Sequence, residues 1–109
     1  MLISELVRKI NFNDSCVNEL AYTNGMVKLD INLCMWKQKG YKEGEPELKK
    51  VILQFINVTN YCWDSEKSED DIDYDSIIDI AYEKRTVKIV LEDEVVSILT
   101  FECSEVQVN

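Results

Sequence analysis

A chain of 109 residues, 46% of them apolar and 30% charged, makes one domain spanning 1–109 with enough core to fold without staples. Its net charge of −9 opposes nucleic acid, and the absence of histidine removes the commonest general base. No apolar run approaches the roughly 20 residues that a membrane-spanning helix needs.

In chain order, Ile3, Leu6, Val7 and Ile10 stand at i, i+3, i+4 and i+7, which predicts a short amphipathic helix over 3–10 with Ser4 as its cap. The acid at Glu5 and the lack of a long apolar core argue against a secretory signal. Phe12-Asn13-Asp14-Ser15 reads as a bend, because such polar side chains bond neighbouring backbone amides. Val27, Leu29, Ile31, Leu33 and Met35 then alternate with Lys28, Asp30, Asn32, Cys34 and Trp36, the period of a strand with one buried face. Asn24-Gly25 just before it is a strong hairpin signal, since both residues accept positive φ. A two-residue turn sets Tyr22 against Val27 and Leu20 against Leu29 on the apolar face, with Glu19 against Asp30 on the wet one. The first hairpin therefore covers about 16–23 and 26–36.

Residues 37–47 form a polar loop broken by Gly40, Gly44 and Pro46, and Lys37, Lys39, Lys42, Lys49 and Lys50 make this the basic end of the molecule. A third strand is predicted over 48–58, with Val51, Leu53 and Phe55 on one face and Ile52, Ile56 and Val58 on the other. Tyr61-Cys62-Trp63 leads into 64–75, a stretch of seven acids and one lysine that reads as an exposed loop. The last third predicts a three-strand meander. A turn at Lys84-Arg85 sets Tyr82 against Val87, Ile80 against Ile89 and Ile78 against Leu91, and a turn near Asp93-Glu94 sets Leu91 against Val96 and Ile89 against Ile98. Leu99, Phe101 and Cys103 then lie on the other face, and Val106 and Val108 extend the last strand. The expected fold is mainly β: about six antiparallel strands in a two-layer sandwich or a strongly curved sheet, with a short N-terminal helix.

The chemistry of sites is sparse. Without histidine there is no Ser-His-Asp or Cys-His arrangement, and no glycine loop is built to cradle phosphate. We therefore expect no enzyme and no cofactor. Cysteines at 16, 34, 62 and 103 share no C-x-x-C spacing and read as reduced thiols in a cytoplasmic chain. The acids at 64–75 fit a calcium loop poorly, because Glu69 or Ser76 stands where such a loop needs glycine. Charge is uneven: residues 61–109 carry fourteen acids and four basic groups, against seven and eight in 1–60. Asp64, Glu66, Glu69, Asp70, Asp71, Asp73 and Asp75, with the aromatics Tyr61, Trp63 and Trp36, are the candidate surface for a basic protein partner. Self-association through Ile52, Ile56, Leu99 and Phe101, giving a homodimer, is a second expectation, and a calcium-responsive loop a third.

The stretch F-N-D-S-C-V-N-E-L-A-Y-T-N-G-M-V-K-L-D-I-N-L, with the later Q-F-I-N-V, resembles small bacterial β-rich proteins, some of them immunity proteins of polymorphic toxin systems. The resemblance covers roughly residues 12–58. It departs at Asn13, where histidine is frequent in those proteins, and it carries over Phe12, Asp14 and Ser15 as a structural turn. It implies a protein that neutralises a toxin, and an acidic inhibitor of a basic toxin agrees with the charge.

Overall fold

The computed structural model describes residues 1–72 and 75–109. Helix α1 (Ile3–Lys9) precedes eight strands: β1 (Cys16–Thr23), β2 (Met26–Cys34), β3 (Leu48–Ile56), β4 (Thr59–Asp64), β5 (Ser76–Glu83), β6 (Thr86–Glu92), β7 (Val96–Glu102) and β8 (Glu105–Val108). They join in one antiparallel sheet of order β4-β7-β6-β5-β1-β2-β3-β8. The mainly β class and the short helix are as expected, but among the described residues there are eight strands, not about six. Thr59–Asp64 is a strand of its own, and Glu105–Val108 does not extend its predecessor but crosses to pair with β3. Ser4 does not cap α1: the N-cap is Leu2, without a side-chain bond.

The strand order reads the same from both ends once β1 to β4 are exchanged for β5 to β8. The molecule is thus two copies of one four-strand unit, and each unit lends its fourth strand to the other: β4 lies beside β7, β8 beside β3. Residues 60 apart correspond in the two hairpins. Both first strands carry a bulge at the same place, between Val17 and Glu19 and between Ile77 and Asp79. Where the units meet, Cys16 faces Ser76. The Val17 amide donates to the Asp75 carbonyl at 2.9 Å and the Ile77 amide to the Ser15 carbonyl at 2.7 Å, one bond being the image of the other.

Each unit buries matching side chains. Val17, Val27, Leu29, Ile31, Leu53 and Phe55 correspond to Ile77, Val87, Ile89, Leu91, Leu99 and Phe101, all nearly inaccessible. Phe55 on β3 and Phe101 on β7 meet edge to face with ring centroids 5.0 Å apart. Five strand spacings of about 4.8 Å separate β3 from β7, roughly 24 Å in a flat sheet. The sheet must therefore curl until its one apolar face closes on itself, and helix α1 seals it with Ile3 and Leu6, both fully buried. The Cys103 thiol donates to the Ile56 carbonyl at 3.0 Å, close to where the two lent strands leave their units.

Both hairpin turns take the predicted form. Asn24, Gly25, Lys84 and Arg85 have φ of 53°, 72°, 49° and 68°. Tyr22 faces Val27, Glu19 faces Asp30 and Ile80 faces Ile89 as expected, but the bulge after Ile77 sets Ile77 and not Ile78 against Leu91, which leaves Ile78 exposed. The second turn of the meander does not: Asp93, Glu94 and Val95 make a three-residue connection, which slips the register by one and pairs Leu91 with Ser97 and Ile89 with Leu99. A one-residue slip exchanges the faces of a strand, so Leu99 and Phe101 are core residues and cannot form a contact between copies. Asp30 is not in water either. It is 8% exposed, held by the Lys50 ammonium at 3.4 Å and the Asn18 amide at 3.3 Å.

Arg85 takes the left-handed conformation that the first hairpin gives to glycine, at a cost of roughly 1 kcal/mol for a residue with a side chain. Lys84→Asn with Arg85→Gly is expected to stabilise the protein by about 0.5–1 kcal/mol. Urea unfolding should show a higher midpoint at unchanged slope.

Candidate functional site

The acidic segment is built, not slack. Tyr61 and Trp63 stand on β4, at one border of the sheet, and Trp63 pairs across with the core residue Leu99. The Trp63 indole Nε1 donates to the Lys67 carbonyl at 2.9 Å, and the Ser65 and Ser97 hydroxyls bond at 2.7 Å. Ser68 accepts from the Asp70 amide at 3.2 Å and so starts a 3-10 turn, Glu69–Asp71. The Tyr61 hydroxyl donates to Glu69 Oε2 at 2.6 Å. Ile72 then drops into the core.

These bonds sort the predicted residues. Asp64, Glu66, Asp70 and Asp71 are exposed, and Glu69 is half-buried under Tyr61. Asp75 is 1% exposed and belongs to the interior: Lys67 Nζ binds its Oδ1 at 2.7 Å, while Oδ2 has no partner among the described residues. It cannot meet a partner protein, because its side chain is only 1% exposed, and parting it from the Lys67 ammonium would leave a buried carboxylate uncompensated. Asp73 lies outside the described residues. Trp36 stands elsewhere. It follows the far end of β2, about 23 Å along the strand from Val27 at the turn; it is 54% exposed, with Lys37 Nζ 5.2 Å from its ring centroid. No three acids or thiols gather to hold a metal ion among the described residues.

One residue absent from the sequence-based set completes the surface. Tyr22 stacks on Tyr61 with centroids 4.1 Å apart and planes 11° apart. With Leu20, Trp63, Glu69 and Asp70 it lines an open groove of 580 Å³. Its lining brings the rings of Tyr22 and Trp63 together with the acids Glu69 and Asp70. Tyr22 had a signal: it ends the apolar face of β1 at the turn, where no core is left to cover it. Burial, and then the Glu69 carboxylate that accepts its hydrogen bond, push the Tyr61 hydroxyl well above its ordinary value of 10.0.

No protein-family model matches the chain, and no curated protein matches it. Among solved structures, a crystal structure of an uncharacterized protein from Neisseria gonorrhoeae is similar to it, at 10% identity over 91% of this chain and 93% of that one, with a TM-score of 0.49. No helix among the described residues is long and apolar enough to cross a membrane.

Two outcomes follow from the anchoring. Lys67→Met leaves the Asp75 carboxylate buried alone and is expected to cost about 3 kcal/mol or more, most of it recovered by Lys67→Met with Asp75→Leu; denaturant unfolding of the three proteins checks this. Tyr61 keeps its proton more tightly folded than unfolded, so its contribution is complete below pH 10.0 and falls as pH rises beyond it. Tyr61→Phe should remove a stability slope of up to about 1.4 kcal/mol per pH unit in that alkaline window, read as the difference between the two unfolding curves.

Proposed function

We propose that this chain is a non-enzymatic acidic binding protein that takes a basic protein partner at the groove between Tyr22 and Trp63. The observation that carries the reading is the meeting of aromatic walls with the carboxylates of Glu69 and Asp70 in one groove. A lysine or arginine of the partner can lie over an aromatic face there while a carboxylate takes its charge. Asp64, Glu66 and Asp71, exposed around it, supply a field that steers a cationic surface before contact. Tyrosine and tryptophan held by hydrogen bonds lose little further freedom on binding, which is why such residues dominate interface energies. The finer reading is an immunity protein that neutralises a basic toxin. Its support is the resemblance over residues 12–58 together with the net charge of −9.

Affinity capture from the source cell, followed by titration of the captured protein, tests both levels. A basic partner is expected, bound at least tenfold more weakly by Asp64→Asn, Glu66→Gln, Asp70→Asn, Asp71→Asn and slowed in association as salt rises. A captured protein that binds the fourfold variant as tightly, and with no response to salt, sinks the reading. At the finer level, co-expression with the partner should rescue a cell that the partner alone kills.

A further inference from the structure

The relation between the two units places a second groove opposite the first in kind. Groove one lies between the 3-10 turn before β5 and the strand β1, where Leu20 lines it. The corresponding place in the other unit lies between α1, which precedes β1, and the strand β5, where Ile80, the counterpart of Leu20, lines a cleft of 320 Å³. The first is rimmed by carboxylates. The second is rimmed by Arg8, Lys9, Lys37 and Lys39, with the single carboxylate of Asp79.

Four cations in one cleft need a reason in a protein of net charge −9. Among the described residues Arg8, Lys9 and Lys39 make no ion pair, although acids outnumber bases 21 to 12 in the chain. Lys37 is held in place: its Nζ lies 3.2 Å from Asn13 Oδ1 and 3.3 Å from Asp14 Oδ2. The wall between the cations is a fixed amide lattice. Gln38 Nε2 donates to the Asn11 carbonyl at 2.6 Å and to the Cys34 carbonyl at 2.8 Å, its Oε1 accepts from the Asn11 amide at 3.0 Å, and Asn13 Nδ2 donates to the Ile78 carbonyl at 2.9 Å. This lattice ties the segment after α1, the segment after β2 and the strand β5 together, so the two elements that carry the cations, α1 with Arg8 and Lys9 and the segment with Lys37 and Lys39, are joined to each other and to β5.

We propose that this cleft is a binding site for a small anion carrying a phosphate or carboxylate group, separate from the surface that takes the basic partner. Its size is that of a small-ligand pocket. Arg8 offers a planar fork of donors and the lysines offer point charges, a set that grips a multiply charged oxyanion better than any single cation does. Asp79, the one carboxylate among the lining residues, disfavours an anion that would fill the whole cleft and so favours one whose charged group sits with Arg8, Lys9 and Lys39.

Nuclear magnetic resonance titration at constant ionic strength decides it, with inorganic phosphate in one arm and citrate in the other. The expected result is saturable shifts of the backbone amides of Lys9 to Asn13 and Lys37 to Lys39 at millimolar anion. Saturation by phosphate alone assigns the phosphate form, by citrate alone the carboxylate form, and by both the shared chemistry. Arg8→Gln with Lys39→Gln, both exposed, should weaken binding at least tenfold with the spectrum otherwise kept, while Lys42→Gln with Lys49→Gln should leave it unchanged. Shifts that never saturate, that spread equally to Lys49 and Lys88, or that persist at equal affinity in the Arg8 and Lys39 variant would overturn the site.

Discussion

Phe55 and Phe101 touch although the sheet that carries them would hold them about five strands apart. Everything else in the architecture answers to that contact. Among the described residues a single antiparallel sheet of eight strands has one apolar face and, besides itself, a seven-residue helix to cover it. The face must be buried against itself, and the lent strands enforce this: β4 and β8 each leave one unit for the other, passing where Cys103 meets the Ile56 carbonyl. Close packing at the crossing then leaves little freedom in how the two halves sit.

The same arrangement explains what could be read from residues and what could not. The hairpins were legible because Asn24-Gly25 and the alternation after it state turn and face together, and the registers of Tyr22 and Ile80 followed. The β6–β7 register was not, because a two-residue and a three-residue turn fit Glu92-Asp93-Glu94-Val95 equally well by residue type, and only burial of Leu99 against Ile89 distinguishes them. Strand β4 escaped because Asn60, Cys62 and Asp64 are exposed and its ladder partner lies in the other unit. The bulges at Asn18 and Ile78 also broke the period of two where it would have been counted. The internal repeat did leave a trace, in Ala21-Tyr22 and Val27-Lys28 against Ala81-Tyr82 and Val87-Lys88, 60 residues on. It is four residues among seventeen, too few to stand out from ordinary strand composition.

The candidate surface divides in a similar way. Acidic composition located the segment 64–75 but could not rank its carboxylates. Asp75 and Asp70 look alike as letters, and one is a structural counter-ion to Lys67 while the other faces solvent. Trp36 and Trp63 likewise differ by position alone. One edges the sheet near Tyr22, and the other ends a strand at the far side of the hairpin. The two units thus share a backbone plan and diverge in what their grooves display, as expected when buried positions are constrained by packing and rim positions are free to change charge.

A lent strand also has a consequence for synthesis. The chain emerges from its N-terminus, so β4 is made some thirty residues before β7, its ladder partner among the described residues. At translation rates of about 5–20 residues per second, that border waits seconds with its hydrogen-bonding groups open. Asp64 at its end and the acids that follow, from Glu66 onward, set like charge beside the waiting strand on every nascent copy, an arrangement that opposes edge-to-edge pairing.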